Sequence, residues 1–224
     1  YGMTELAPVV SVNRLKRNRP ASVGIAYDDV EIKLGENDEL LVRCPGVMLG
    51  YWNNPEITRE TIDEDGWVHT GDVAKIEDDF IYITGRLKEI IVLANGEKLP
   101  PADLELAISN DPLFEQVMVV GEGRPFMGAI VVLNPNNWQK LAQTLGVDPA
   151  DPVSLSNTAV TQQLLEHIQK QLTHFPGYAN VYSVYATHDS WTVEDELITP
   201  TLKLKRNKLL EKYQQQINDM YKGH

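Results

Sequence analysis

Gly85–Glu105 reads GRLKEIIVLANGEKLPPADLE, and it marks where the chain changes character. Within it, Glu89–Ala94 and Glu97–Leu99 flank Asn95-Gly96. That dipeptide is a hairpin signal, because both residues tolerate positive φ. Pro100-Pro101 then leads into a helix with Leu104, Ala107 and Ile108 on one face. Short alternating strands and turns precede this stretch; helices mixed with apolar strands follow it.

Upstream, Val23–Ala26, Val30–Leu34 and Glu39–Cys44 read as strands separated by turn residues. Asn54-Pro55 opens a short helical stretch through Thr61, since Pro55 suits a first helical position. Val73–Glu77 and Phe80–Thr84 form a hairpin across Asp78-Asp79. This half reads as antiparallel and barrel-like. Downstream, Gln116–Gly121 and Met127–Leu133 are apolar strands. Trp138, Leu141, Ala142 and Leu145 line a helix closed by Gly146. Residues 147–156 read as loop, Thr158–His174 as a longer helix, and Val181–Thr187 as a strand. One last helix is expected over Asn207–Tyr221, with Leu210, Tyr213, Ile217 and Met220 facing inward. The fold class is therefore α+β: a partial antiparallel barrel over 1–86, then a small mixed α/β domain over 87–224.

A length of 224 residues suits one large or two small domains, and 42% apolar residues exclude global disorder. The net charge of −12 repels phosphate and argues against nucleic acid as a partner. Cys44 is the sole cysteine and reads as a core residue, so no intrachain disulfide is expected. No apolar run reaches the ~18 residues of a membrane span. The five histidines, His69, His167, His174, His188 and His224, show no metal-ligand spacing. Trp138 and Trp191 read as core. Against the acidic background, Lys203, Lys205, Arg206, Lys208 and Lys212 crowd together with Glu211 as their only acidic neighbour. Such a run is either a solvated helix face or a site that meets negative charge.

Four segments carry candidate chemistry. Tyr1-Gly2-Met3-Thr4-Glu5 places a hydroxyl beside a carboxylate, a pairing useful where phosphate and Mg²⁺ meet; a frayed terminus is the plain alternative. Trp67-Val68-His69-Thr70-Gly71-Asp72 ends in an acid able to accept from vicinal ribose hydroxyls, or simply to cap a turn. His69 abuts that acid. In Gly85-Arg86-Leu87-Lys88-Glu89, Arg86 offers a planar fork to phosphate or ribose, and Lys88 sits where a hinge would lie; an ordinary surface segment is the alternative. Thr199-Pro200-Thr201-Leu202-Lys203-Leu204-Lys205-Arg206 offers lysines on a loop, able to meet charge building on phosphate or carboxylate oxygens.

In this order the segments resemble the successive motifs of the adenylate-forming superfamily: acyl- and aryl-CoA synthetases, peptide-synthetase adenylation domains and luciferases. Gly85–Glu105 resembles its hinge-and-hairpin block, with Asp103 where the family more often has Glu. The 199–206 segment is similar to the ending of long-chain fatty acyl-CoA synthetases. Most of the superfamily has Gly directly before its catalytic lysine. Counting four on from Thr201 aligns that lysine with Lys205, behind Leu204; Lys203 is the second choice.

The resemblance implies two half-reactions. ATP and a fatty acid give acyl-adenylate and pyrophosphate, and CoA then displaces AMP. It implies that Tyr1 stacks on adenine, Thr4 touches phosphate and Glu5 holds Mg²⁺. Asp72 would bind the ribose hydroxyls with help from Arg86, and Lys205 would serve adenylation. The 87–224 lid would turn about Lys88 and bring Gly96 to the pantetheine thiol. The family's phosphate loop, upstream of the Tyr1 motif, is not in this sequence. The expectation is a C-terminal fragment of an acyl-CoA synthetase, inactive alone, missing most of the large domain. Two alternatives stand: a ligase loading an acyl-carrier protein, and a non-catalytic module docking CoA or a carrier. The expected location is the cytoplasm, with peripheral contact at the inner membrane face left open.

Overall fold

The computed structural model describes residues 1–223. His224, one of the five histidines, lies outside the described residues. The chain divides into two compact units, Tyr1–Ile90 and Ile91–His224. The division falls a few residues after the change of character at Arg86, because the turn Leu87–Glu89 stays beside strand Val68–Glu77.

The first unit is a curled antiparallel sheet. Its strands are β1 (Ser11–Val12), β2 (Ile25–Ala26), β3 (Glu31–Leu34), β4 (Glu39–Arg43), β5 (Val68–Glu77) and β6 (Phe80–Arg86), in the order β1-β2-β6-β5-β4-β3. Helix α1 (Pro55–Thr61) opens under a cap in which the Asn54 side chain accepts from the Ile57 N–H. Leu6, Val10, Leu40, Val42, Val68, Ala74 and Ile81 form the core. Cys44 packs against this core just beyond β4 and is partly buried. The β5–β6 turn is the Asp78-Asp79 hairpin expected from sequence, with both residues at positive φ.

The second unit is built on three strands, β9 (Phe114–Val120), β10 (Met127–Leu133) and β11 (Val181–Thr187), in the order β11-β10-β9. A two-stranded ribbon, β7 (Ile91–Val92) with β8 (Lys98–Leu99), precedes them. Its strands are shorter than the sequence suggests, because Leu93 and Glu97 already belong to the turn that carries Gly96 at φ +86°. The helices are α2 (Pro101–Ser109), α3 (Pro135–Leu145), α4 (Thr158–Gln171), α5 (Arg206–Lys212) and α6 (Gln214–Met220). Asn134 caps α3 and Gly146, at φ +67°, closes it.

All seven residues of β10 are buried. The reason is cover on both faces, which turns an alternating strand into a continuous apolar one. Met127, Ala129, Val131 and Leu133 join Leu104, Ile108, Trp138, Leu164 and Ile168 in one core. Ile130 and Val132 join Trp191, Leu209, Tyr213 and Ile217 in the other. Both tryptophans are thus core, as expected.

The C-terminal helix differs from its sequence reading. It breaks at Tyr213 into α5 and α6, and Leu209, Tyr213, Ile217 and Tyr221 are the buried set. Leu210 stays exposed and Met220 only partly covered. Two polar anchors choose this phase. Tyr213 Oη accepts from Trp191 Nε1 at 3.0 Å, and Tyr221 Oη donates to the carbonyls of Val120 and Phe126. Burial pushes the Tyr221 hydroxyl up to about 12.

Asp111 follows α2 and is buried. Its carboxylate accepts from the Leu113 N–H and meets His167 Nδ1 at 2.7 Å. Burial alone would raise its pKa, but these partners outweigh burial and hold the carboxyl below the usual range. Its folded pKa therefore lies under the unfolded value of about 3.9. The contribution is present above that value and fades as pH falls through the folded one. Urea unfolding of wild type and Asp111→Asn should show a stability gap at pH 6 that narrows below about pH 4.

Candidate functional site

In the first unit, Thr70-Gly71-Asp72 forms a bulge in β5. Opposite it, β4 advances from Glu39 to Leu41 while β5 advances from Val73 back to His69. The extra residues need a partner, and Glu39 supplies it. Its buried carboxylate accepts the Gly71 N–H at 2.9 Å and meets His69 Nδ1 at 2.8 Å. Gly71 takes φ +70°, a conformation costly for residues with a Cβ. Thr70 Oγ1 donates to the Leu40 carbonyl and accepts the Asp72 N–H. The sequence reads this segment as a turn before a strand; it is a bulged strand, and the bulge aims Asp72.

Asp72 is buried, with partners on both carboxylate oxygens. Arg86, its cross-strand neighbour, donates Nε to Oδ1 at 2.8 Å. Tyr1 donates its hydroxyl to Oδ2 at 2.5 Å. Burial first, and then this carboxylate, push the Tyr1 hydroxyl well above the ordinary phenol range. The Asp72 hydrogen bond likewise raises Arg86. The three residues singled out for adenine and ribose thus form one cluster. Each carboxylate oxygen has a second lone pair, so Asp72 retains acceptor capacity for a diol.

Tyr1 is held by its backbone, whose carbonyl accepts from the Val10 and Ser11 N–H groups. The chain then turns through Thr4–Leu6 and reverses at Ala7, φ +54°. This places Glu5 within reach of Tyr51, whose hydroxyl donates to Oε1 at 2.7 Å. That bond raises the Tyr51 pKa. Thr4 is exposed beside it. Among the described residues the other Glu5 oxygen has no hydrogen bond, and with the Thr4 hydroxyl it offers hard oxygen donors. They fit Mg²⁺, which keeps most of its waters and takes one or two carboxylates plus phosphate.

The remaining candidates are placed as follows. Lys88 is exposed in the turn Leu87–Glu89. Gly96 is exposed, and a Cβ there would meet nothing within 4 Å. The ribbon carrying it is held by the β9–β10 loop: the Val92 N–H donates to Glu122, Gly123 donates to Val92 and Ala94 donates to Arg124. The lysine loop closes on itself. Thr199 N–H donates to the Lys203 carbonyl, Lys203 N–H to Thr199 Oγ1, and Leu202 N–H to the Thr199 carbonyl. Leu202 carries the left-handed backbone, φ +61°, and Lys203 is exposed directly after it. Lys205 is half-buried; its N–H bonds the Leu197 carbonyl and its carbonyl begins α5. Two acids that sequence reading passes over organise these sites, Glu39 and Glu105. Their signal is only that each faces its partner across the fold, at sequence separations of 30 and 101 residues.

The first unit thus combines a curled antiparallel sheet with an Asp72–Arg86–Tyr1 cluster, and the second is a compact α/β unit. Residues 88–224 match the family described as "AMP-binding enzyme C-terminal domain", and the chain belongs to that family. It is 32% identical to the probable acyl-activating enzyme 16, chloroplastic, of Arabidopsis thaliana, over 99% of this chain and 34% of that protein. It is 30% identical to the Arabidopsis long-chain-fatty-acid–[acyl-carrier-protein] ligase AEE15, covering 99% and 32%. It is 32% identical to the long-chain-fatty-acid–CoA ligase FadD15 of Mycobacterium bovis, covering 99% and 37%. The adenylation domain of the carboxylic acid reductase from Segniliparus rugosus, solved with AMP and a carboxylic acid, superposes with a TM-score of 0.77 at 25% identity, over 99% and 34% of the two chains. The chain spans about a third of the length of these relatives. Among the described residues no helix is long and apolar enough to cross a membrane.

Replacing Glu39 tests the bulge. Glu39→Ala strands the Gly71 N–H and should cost the first unit about 1–3 kcal/mol, whereas Glu39→Gln keeps that bond and should cost less. Urea unfolding curves of the two variants measure the difference.

Proposed function

We propose that this chain works as the carboxy-terminal portion of an ATP-dependent fatty acid–CoA ligase. The observation that carries the reading is the buried Asp72 carboxylate gripped by Arg86 and Tyr1 at a strand bulge. In a family member, this is the arrangement suited to a nucleotide's ribose and base. Tyr1 offers its ring to adenine, Thr4 its hydroxyl to phosphate, and Glu5 its free oxygen to Mg²⁺. Lys88 opens the segment matching the family and lies two residues before the unit boundary, which suits a pivot. Gly96 leaves an open backbone past which a thiol arm can run.

Of the two candidate lysines, Lys203 is the better supported as the adenylation lysine. The family favours Gly before that lysine, and a left-handed backbone is what Gly provides. Here the left-handed residue is Leu202, at a cost of roughly 1 kcal/mol or more. That strained backbone sits directly before the exposed Lys203 and displays it. Lys205, half-buried and joined to α5, has less reach.

The acceptor has a second reading. Similarity to a ligase named for acyl-carrier protein supports a carrier as much as similarity to FadD15 supports CoA. Offering the intact ligase each acceptor with ATP and palmitate separates them; CoA thioester as main product is the expected result.

The 224-residue chain alone should give no fatty acid-dependent pyrophosphate exchange. In the intact ligase, Lys203→Ala should slow exchange by about 10²–10³-fold, the usual loss for one charge-stabilising group. Lys205→Ala should slow it by far less. The reverse order would reassign the lysine, and no effect of either would overturn the reading.

A further inference from the structure

Arg206 directly follows the lysine loop, yet its guanidinium is largely withdrawn from water. Nη2 donates to Glu105 Oε1 at 2.5 Å, and the two side chains are only 18% and 13% exposed. Nη1 reaches the Val119 carbonyl at 3.4 Å. The same Glu105 oxygen accepts the Val119 N–H at 2.8 Å. One carboxylate therefore ties together α2, β9 and the first residue of α5.

Otherwise the start of α5 is held by apolar packing, through Leu204 and the buried Leu209, which fixes no direction for the loop. The N-cap of α5 is Lys205, which makes no capping side-chain bond, and the helix is only seven residues long. An uncapped helix end leaves its first N–H groups unmet and frays. The loop before it is bonded mainly to itself, through Thr199, Leu202 and Lys203. Its outward hydrogen-bonded ties are the Lys205 N–H to Leu197 and the bridge between Leu204 and Ile198, both within the same local segment. The Arg206–Glu105 contact instead reaches across 101 residues to the helix that follows the Gly96 ribbon.

We infer that Glu105 and Arg206 form a clamp that fixes the lysine loop in place, making both positioning residues for the lysine-dependent first half-reaction. The inference rests on the proposed ligase function. A flexible lysine loses more of its effect than its charge suggests, since displacement by about 1 Å can cost roughly 10²-fold in rate. Arg suits this task better than Lys, because its planar fork sets Nη2 on Glu105 and Nη1 on the Val119 carbonyl at fixed angles.

The test uses the intact ligase and assays the half-reactions separately. Arg206→Ala and Glu105→Ala should slow ATP–pyrophosphate exchange by about 10–100-fold, while transfer from preformed palmitoyl-adenylate to CoA stays within about 2-fold. Glu105→Gln keeps an acceptor for both partners and should lose less than about 5-fold in exchange. Equal loss in both half-reactions would reduce the pair to a folding role and overturn the clamp. Unchanged exchange in both alanine variants would overturn it as well. Lys203→Ala is assayed alongside. If it spares exchange, the reading of the lysine fails; if it blocks exchange while the clamp variants do not, only the clamp fails.

Discussion

A carboxylate withdrawn from water has to be met by donors, and this requirement recurs at each organising point of the protein. The chain carries 32 acidic residues, most of them in solvent. Four are largely withdrawn: Glu39, Asp72, Asp111 and Glu105. Each is answered by backbone N–H groups or by Arg, His or Tyr. Glu39 secures the bulge, the bulge aims Asp72, and Asp72 gathers Arg86 and Tyr1. In the second unit Asp111 joins the end of α2 to α4, and Glu105 joins α2 to the lysine segment. The buried acids do more for the architecture than the net charge does.

The second unit adds a steric constraint. Its sheet is only three strands wide, so it must be covered on both faces to bury enough apolar surface. The crossover helices α3 and α4 cover one face together with α2. The chain after β11 has to cover the other, and it does so with Trp191, Leu197 and the broken C-terminal helix. Beyond the break at Tyr213, α6 lies against β11, while α5 contributes Leu209 to the same core. The break also keeps the phenols of Tyr213 and Tyr221 within reach of Trp191 and the 120–126 carbonyls. The helix phase thus follows from where hydroxyls find partners, which periodicity does not record.

Much of this was legible beforehand. Asp78-Asp79, Asn54-Pro55 and Gly146 mark turns and caps through their own backbone preferences, and each is found in that role; at Asn95-Gly96 the turn takes three residues, Ala94 to Gly96, and only Gly96 adopts positive φ. The apolar runs of β9 and β10 declare themselves by composition. Local motifs point to Asp72 and Arg86 and the family resemblance to Tyr1, and the three side chains meet. Less legible were features set by partners distant in sequence. The β5 bulge depends on Glu39 across the sheet, and the left-handed backbone of the lysine loop falls on Leu202. Leu202 has no side-chain signal for that conformation; the closing bonds to Thr199 impose it.

Taken alone, the sequence determined the class of fold, the place where the chain changes character, and the segments that carry candidate polar groups. Local stereochemistry and apolar periodicity act over a few residues, so a linear reading captures them. Only the tertiary structure decided which acids are buried, which donors answer them and how the lysine segment is anchored. Those outcomes depend on desolvation and on hydrogen-bond geometry between residues far apart in the chain, and folding alone brings such residues together.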